Sequence, residues 1–405
     1  MNNRRVPLWL MGLTNCSYGL YTGIQVYALP QLLAARHVPE ATIAAMSAVE
    51  LSPGFWAFLL SPMLDVKFSR RWYACALALV AAALLFVSMM NLDHIYFVEV
   101  AITFGFLSSY LYQSAIGGWL SSITTHKEEN WLSIWITVGN VGGGAIMAVA
   151  CGEIVRSFSV TVAAILLALI VLLPLVVFPF MPAPGPDRRL ANESFGKFFS
   201  DLVALVKRRE VLIALVIFIS PAGSFALTNF LAGLGGDFHA SPRLVGFILG
   251  TGAGIAGIVG SFLFQPLSRL MPLRPLYLTI GLVGSLFTLS LIALAHTPTA
   301  FAVALVGENL LQSLAITACT AIMFDVIGRN NPLASTTFCF LGSMYGLPLS
   351  YMLYVDGAGY SRHAAAGAFA TDALCGIVAS LLLGALLFYL TRRRKPFAGF
   401  KDVQA

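Results

Sequence analysis

Two carboxylates stand where charge is hardest to keep. Glu50 and Glu308 each interrupt an apolar stretch otherwise free of Asp, Glu, Lys and Arg, residues 41–64 and 299–324. Loss of water disfavours the charged form of a carboxyl. Such a group can hold a proton inside a barrier and release it where water reaches, so the chemistry these positions offer is proton carriage. Each can equally be a protonated acid bonded to a helix backbone or to a neighbour such as Asn309. Asp372 and Glu99 fall near the ends of their stretches, where a side chain can reach the interface. A second set of side chains is suited to touching a solute: Asn15, Tyr18, Tyr21 and Gln25, then Gln113, Asn229 and Gln312, with Tyr110 beside them. On a helix Tyr18, Tyr21 and Gln25 share one face. A third set, Asp65, Lys67, Arg70 and Arg71, places a carboxylate just before a run of bases. Those groups can pair and hold a loop against a neighbouring element.

The elements that position them must be membrane helices. The chain has 405 residues, 58% hydrophobic and 10% charged, with a mean hydropathy of +0.84. A soluble domain carries about 25% charged residues. So apolar a chain excludes disorder and argues against a soluble enzyme; its surface needs lipid to face. The net charge of +6 is then a matter of topology, not of nucleic-acid binding. The six cysteines are scattered through apolar stretches with no CxxC pair, so they read as small buried hydrophobes. No phosphate-binding loop, zinc helix or convergent His, Ser and acid cluster appears. Neither a catalytic residue, a metal nor a cofactor is therefore expected.

A crossing helix needs about 20 mostly apolar residues. Charge-poor runs meet that length at 6–35, 41–64, 72–92, 100–125, 130–152, 157–186, 211–236, 244–268, 275–298, 299–324, 330–355 and 373–391, the ninth and tenth parted by His296 and Pro298. The reading is an all-α polytopic membrane protein of twelve transmembrane helices in two six-helix bundles. With both termini cytoplasmic, only Arg36, Arg156, Arg243 and Arg362 of the 24 basic residues fall outside. The first bundle takes residues 1–181 and the second 211–391. Between them, 182–210 is a cytoplasmic linker in which Phe195, Phe198, Phe199, Leu202 and Val206 lie on one face of a surface helix. Residues 392–405 form a cytoplasmic tail.

The halves repeat weakly. At one constant offset Phe58 meets Phe262, Leu59 Leu263, Pro62 Pro266, Arg70 Arg274 and Tyr73 Tyr277. Two bundles related in this way are the architecture of many secondary transporters. The loop Ser61-Pro-Met-Leu-Asp65-Val-Lys67-Phe-Ser-Arg70-Arg71 resembles the Gly-x-x-x-Asp-Arg/Lys-x-Gly-Arg-Arg/Lys-Arg/Lys loop of the major facilitator superfamily, with Ser61 in place of the first glycine. Within it, Leu60-Ser-Pro-Met-Leu-Asp65, Gly307-Glu-Asn309 and Ile327-Gly-Arg-Asn-Asn-Pro332 are similar to the branch of muropeptide permeases, acetyl-coenzyme A transporters and siderophore importers. Tyr112-Gln-Ser-Ala-Ile-Gly-Gly-Trp119 lacks the two acids that branch often has there.

That resemblance implies proton-coupled import of a small to medium organic solute, siderophore-like or cell-wall-derived, by alternating access. It assigns Asp65, Lys67, Arg70 and Arg71 to a gating loop. The expected partners are solute, protons and the lipid of a bacterial inner membrane, with the chain monomeric. Drug or metabolite efflux is the alternative; a membrane enzyme or a non-transporting sensor on the same scaffold is a third class. Glycines Gly139, Gly142, Gly143 and Gly144 in the fifth pass, and Gly246, Gly250, Gly254, Gly257 and Gly260 in the eighth, mark seams on which the bundles rock, or simply tight packing.

Overall fold

The computed structural model describes residues 6–66, 68–183, 200, 203, 204, 206–328 and 331–392. The linker helix expected at 194–207, Lys67 and the tail after 392 fall wholly or largely outside those residues. Every regular element among the described residues is helical. The passes are α1 (8–35), α2 (40–65), α3 (Arg70–Met90), α4 (Ile95–Ile123), α5 (Glu129–Ser157), α6 (Val160–Phe180), α7 (209–235), α8 (242–267), α9 (Leu273–Leu291), α10 (Pro298–Ile327), α11 (334–362) and α12 (365–392). Among the described residues eight helices are long and apolar enough to cross a bilayer. One of them holds both α11 and α12, which reverse at His363 and Ala364. The other three passes, α1, α2 and α7, are cut by breaks.

Those breaks have local causes. A π turn at Ile24–Ala28 precedes Pro30 in α1. Pro53 and Pro62 divide α2 into short α and 3-10 segments. In α7, Arg209–Ile219 stops at Ser220, and helix resumes at Leu227 beyond Pro221 and Gly223. Gly223 and Phe225 there both take positive φ, 83° and 49°. For a bulky residue such as Phe225 that conformation stores strain.

Three expected boundaries shift. α4 starts at Ile95, so Glu99 lies inside it. The eleventh run, ended at residue 355 because Asp356 carries charge, continues as helix to the reversal at His363. α12 begins before Asp372, which places that acid within the pass. At Asp356 and Asp372 the carboxyl that ends the charge-free run is buried in the protein.

α1 packs on α5, and α3 on α4 and α6; in the second half α8 packs on α10, and α9 on α10 and α12. The bundles meet where α5 faces α8 and where α2 and α4 face α11. One apolar core runs through both bundles toward the side of the termini, holding Leu64, Trp119, Phe178, Phe218, Phe264 and Phe338. Toward the other side each bundle has its own core: Leu29, Leu85, Ile102 and Leu167 in the first; Leu231, Phe301, Leu305 and Phe369 in the second. The halves are thus fused on the side of the termini and separate on the opposite side.

The glycines divide between two duties. On α8, ideal Cβ atoms at Gly250, Gly254 and Gly257 would meet Val149, Ala145 and Val141 of α5. That is an antiparallel register in steps of about one turn, continued by the Trp135–Phe262 ring contact (5.3 Å) and the Asn130–Ser268 hydrogen bond (3.3 Å). On α5, however, Gly139 and Gly143 face α1, where a Cβ would come within 2.6 Å of the Gly12 carbonyl oxygen and 2.8 Å of the Cys16 carbonyl oxygen respectively. They serve packing inside one bundle, not the seam between bundles.

Candidate functional site

The carboxylate of Asp65 is buried at the fused side. It accepts from Arg70 Nε and Nη2, each at 2.9 Å. It also accepts from the Ser335 and Thr336 amides (3.2 and 2.8 Å) and from Thr336 Oγ1 (2.8 Å). Ser335 and Thr336 open α11, so the first bundle's carboxylate satisfies helix-end amides of the second. Arg70 donates onward to the carbonyl oxygens of Gly118 on α4 (3.3 Å) and Pro332 (3.1 Å). Gly117 and Gly118 carry no Cβ where Phe338 and Ser335 press in, which lets α4 and α11 close. Arg71 makes no ion pair with a described residue.

In the second bundle Glu308 is fully buried on α10. Thr288 Oγ1 of α9 donates to its Oε1 at 2.5 Å, and Oε2 has no partner among the described residues. Asn309 does not bond it; its amide donates to the Leu305 carbonyl oxygen at 2.7 Å. Two acids that the sequence placed in a loop or at an interface join this locale. Asp356 of α11 is fully buried with neither carboxylate oxygen partnered among the described residues, and it lies within electrostatic range of Glu308 and Asp372. Asp372 of α12 is 8% exposed. It lines a pocket of about 10 Å³, space for about one water, with Thr288, Ser285 and the irregular segment of α7. Five passes, α7 and α9 to α12, thus bring polar groups together around one buried locale.

The first bundle holds a sparser counterpart. Glu50 is buried, its Oε1 is unpartnered, and Glu99 is its electrostatic neighbour. Gln25 Nε2, from the π turn of α1, donates to the Glu50 backbone carbonyl oxygen at 2.9 Å. Tyr21 also lies within electrostatic range of Glu50, with its hydroxyl donating to the Ile102 carbonyl oxygen at 3.2 Å. Asn15 is tied to α5 through the Ile136 carbonyl oxygen at 3.2 Å. Tyr18 joins Phe106 and Tyr110 in an aromatic cluster with centroids 6.0 to 6.2 Å apart. Gln113 is half-buried without a side-chain hydrogen bond to a described residue. Gln312 reaches the Phe225 carbonyl oxygen at 3.5 Å, at the α7 break. Asn229 lies beyond that break and is exposed. The structure therefore brings together Gln25 and Tyr21 with Glu50 and Tyr18 with Tyr110, and ties Asn15 to the α5 backbone. Pro221 and Gly223 were the signals in the sequence that could have found the break.

Twelve passes fused on one side and parted on the other match a known pattern. The sequence profile described as Major Facilitator Superfamily matches residues 11–329. The chain belongs to the major facilitator superfamily. Solved members share its fold at low identity. The human organic anion transporter MFSD10 superposes with a TM-score of 0.72 at 15% identity, covering 95% of this chain and 100% of that one. The E. coli fucose:proton symporter FucP gives 0.68 at 15%, covering 94% and 98%. A bacterial homologue of the iron transporter ferroportin, in its outward-facing state, gives 0.64 at 15%, covering 96% and 100%. No curated protein matches the sequence. As a superfamily member the chain is a membrane transporter, not an enzyme.

Proposed function

We propose that the chain is a secondary active transporter that couples proton movement to import of a small to medium organic solute, siderophore-like or cell-wall-derived. The observation that carries the coupling is Glu308, fully buried, held only by the Thr288 hydroxyl and with one oxygen unpartnered among the described residues. A carboxyl so placed gains and loses a proton as its access to water changes. Glu50 gives the first bundle a second such group. The solute path between the bundles takes in Tyr18, Gln25, Gln113, Asn229 and Gln312. Asp65 with Arg70, beside Lys67 and Arg71, is the gate on the side of the termini, since its bonds cross from one bundle to the other. Residues 1–181 and 211–391 are the two moving bodies. The charge bias supports cytoplasmic termini in a bacterial inner membrane, and the chain works as a monomer.

The test is uptake into proteoliposomes, with a panel of siderophores and cell-wall peptides and an imposed pH gradient. Accumulation against the solute gradient, collapsed by a protonophore, is the expected result. Accumulation that ignores the protonophore removes the proton role; expulsion in place of uptake reverses the direction, toward efflux. A chemically altered solute removes the transport reading altogether.

A further inference from the structure

The pocket beside Asp372 has features that proton carriage does not require. Its walls are four residues of the irregular α7 segment, Pro221, Gly223, Ser224 and Phe225, with Gly281, Gly284, Ser285 and Thr288 of α9 and Asp372 of α12. Ser224, Ser285 and Asp372 are each more than nine-tenths buried, and none makes a side-chain hydrogen bond to a described residue. Leaving three oxygen-bearing side chains buried around one small void is costly unless something binds them. The void is also built, not left over. A Cβ on Gly281 would sit 2.8 Å from the Gly223 amide nitrogen, and one on Gly284 would sit 2.6 Å from the Phe225 ring. Gly376 of α12 meets the Ser285 hydroxyl with no Cβ between them. Three glycines are needed to bring the strained break of α7 against α9 and α12.

We propose that this pocket is a binding site for one sodium ion. The donors are all hard oxygens: one carboxylate, the hydroxyls of Ser224, Ser285 and Thr288, and carbonyl groups of the unwound α7 backbone. Discontinuous helices bind coupling ions through such carbonyls. A single carboxylate in the wall suits a monovalent charge, and among the described residues no three His, Cys, Asp or Glu side chains converge as a divalent site. The void has space for about one water, room for one small ion. Thr288 also bonds Glu308, so the ion is one hydroxyl away from the buried carboxyl. The bound ion fixes the α7 break against the rest of its bundle.

This goes beyond proton coupling and is tested without transport. Purified full-length protein is titrated with NaCl against KCl at constant ionic strength, following the thermal unfolding midpoint and equilibrium binding of ²²Na⁺. A ligand that binds only the folded state raises the midpoint saturably. The expected result is a sodium-specific rise with one ion bound per chain. Ser285→Ala weakens sodium binding roughly tenfold, from loss of one hydroxyl ligand, and Asp372→Asn abolishes it. Glu308→Gln keeps the sodium response even where it removes proton-driven uptake. Equal midpoints in sodium and potassium overturn the site, as does full sodium affinity in Ser285→Ala and Asp372→Asn. Displacement of ²²Na⁺ by equimolar Mg²⁺ or Ca²⁺ overturns the monovalent assignment.

Discussion

Replacing Asp65 by Asn keeps the size of the side chain and removes its charge at the contact that joins the bundles. Asp65 Oδ2 receives the Thr336 amide and hydroxyl, both at 2.8 Å, and Oδ1 receives Arg70 Nε and the Ser335 amide. Asn retains one acceptor oxygen. Its other terminus is an NH₂ that faces donors whichever way the amide turns. At least two charge-assisted bonds are therefore lost. At about 1–2 kcal/mol each, below the full range for charged partners because water enters, the fused state loses about 2–4 kcal/mol. A loss of 1.4 kcal/mol is tenfold, so the population open on that side rises about 30-fold to about 700-fold. The assay is a pair of spin labels at Lys127→Cys and Leu270→Cys, both exposed on opposite bundles at the fused side, in a background without the six native cysteines. Wild type should give one short distance; Asp65→Asn should add a longer one. An unchanged distance distribution in Asp65→Asn, with Arg70→Ala also unchanged, refutes the clamp and the energy assigned to it.

Three further outcomes follow from the same contacts. Glu308→Gln should abolish accumulation driven by a pH gradient while leaving exchange between two filled compartments intact, because Gln mimics the protonated acid; Glu50→Gln, run beside it, tells which bundle carries the proton. Gly143→Val should destabilise the fold by about 1–3 kcal/mol, since a Cβ there meets the Cys16 carbonyl oxygen at 2.8 Å. Gly142→Ala, whose Cβ finds only Ile258 at 3.9 Å, should leave the unfolding midpoint near wild type. A cysteine at Arg188 should label only from the cytoplasm and one at His239 only from outside; external labelling of Arg188→Cys in intact cells inverts the topology.

The twelve passes were legible because a membrane makes length and absence of charge the dominant signals. The same rule hid part of the site. Asp356 and Asp372 mark the ends of charge-free runs, yet both are buried in protein, Asp356 within electrostatic range of Glu308 and Asp372. No one-dimensional pattern distinguishes an acid leaving the bilayer from one facing a bundle interior. The α5 glycines misled for a related reason: small residues announce a close neighbour without naming it, and for Gly139 and Gly143 the neighbour is α1. Asp65 was readable as a loop carboxylate with bases following. Its partners on α11 were not, because Thr336 becomes adjacent only when the two halves close.

The division of the core links these sites into one cycle. Both bundles share an apolar core on the side of the termini, and Asp65 locks it; on the opposite side the two cores are separate. Glu308, Asp356 and Asp372 lie in the second bundle beside Thr288, near the end of α9 on that separate side. In this state water from the parted side has the shorter way to the acids, and the locked core blocks the other. Releasing Asp65 frees the fused side, while closing the parted side must bring the second bundle's core, with Leu231 and Phe301, against the first bundle's. The α7 break stands between Leu231 and the acids, since residues 220–226 precede the helix carrying Leu231 and line the pocket at Asp372. Any movement that closes that side therefore acts on the pocket walls. Under the proposed mechanism gate, acids and break act as three parts of one lever, so that a change at one is read as altered occupancy at the others.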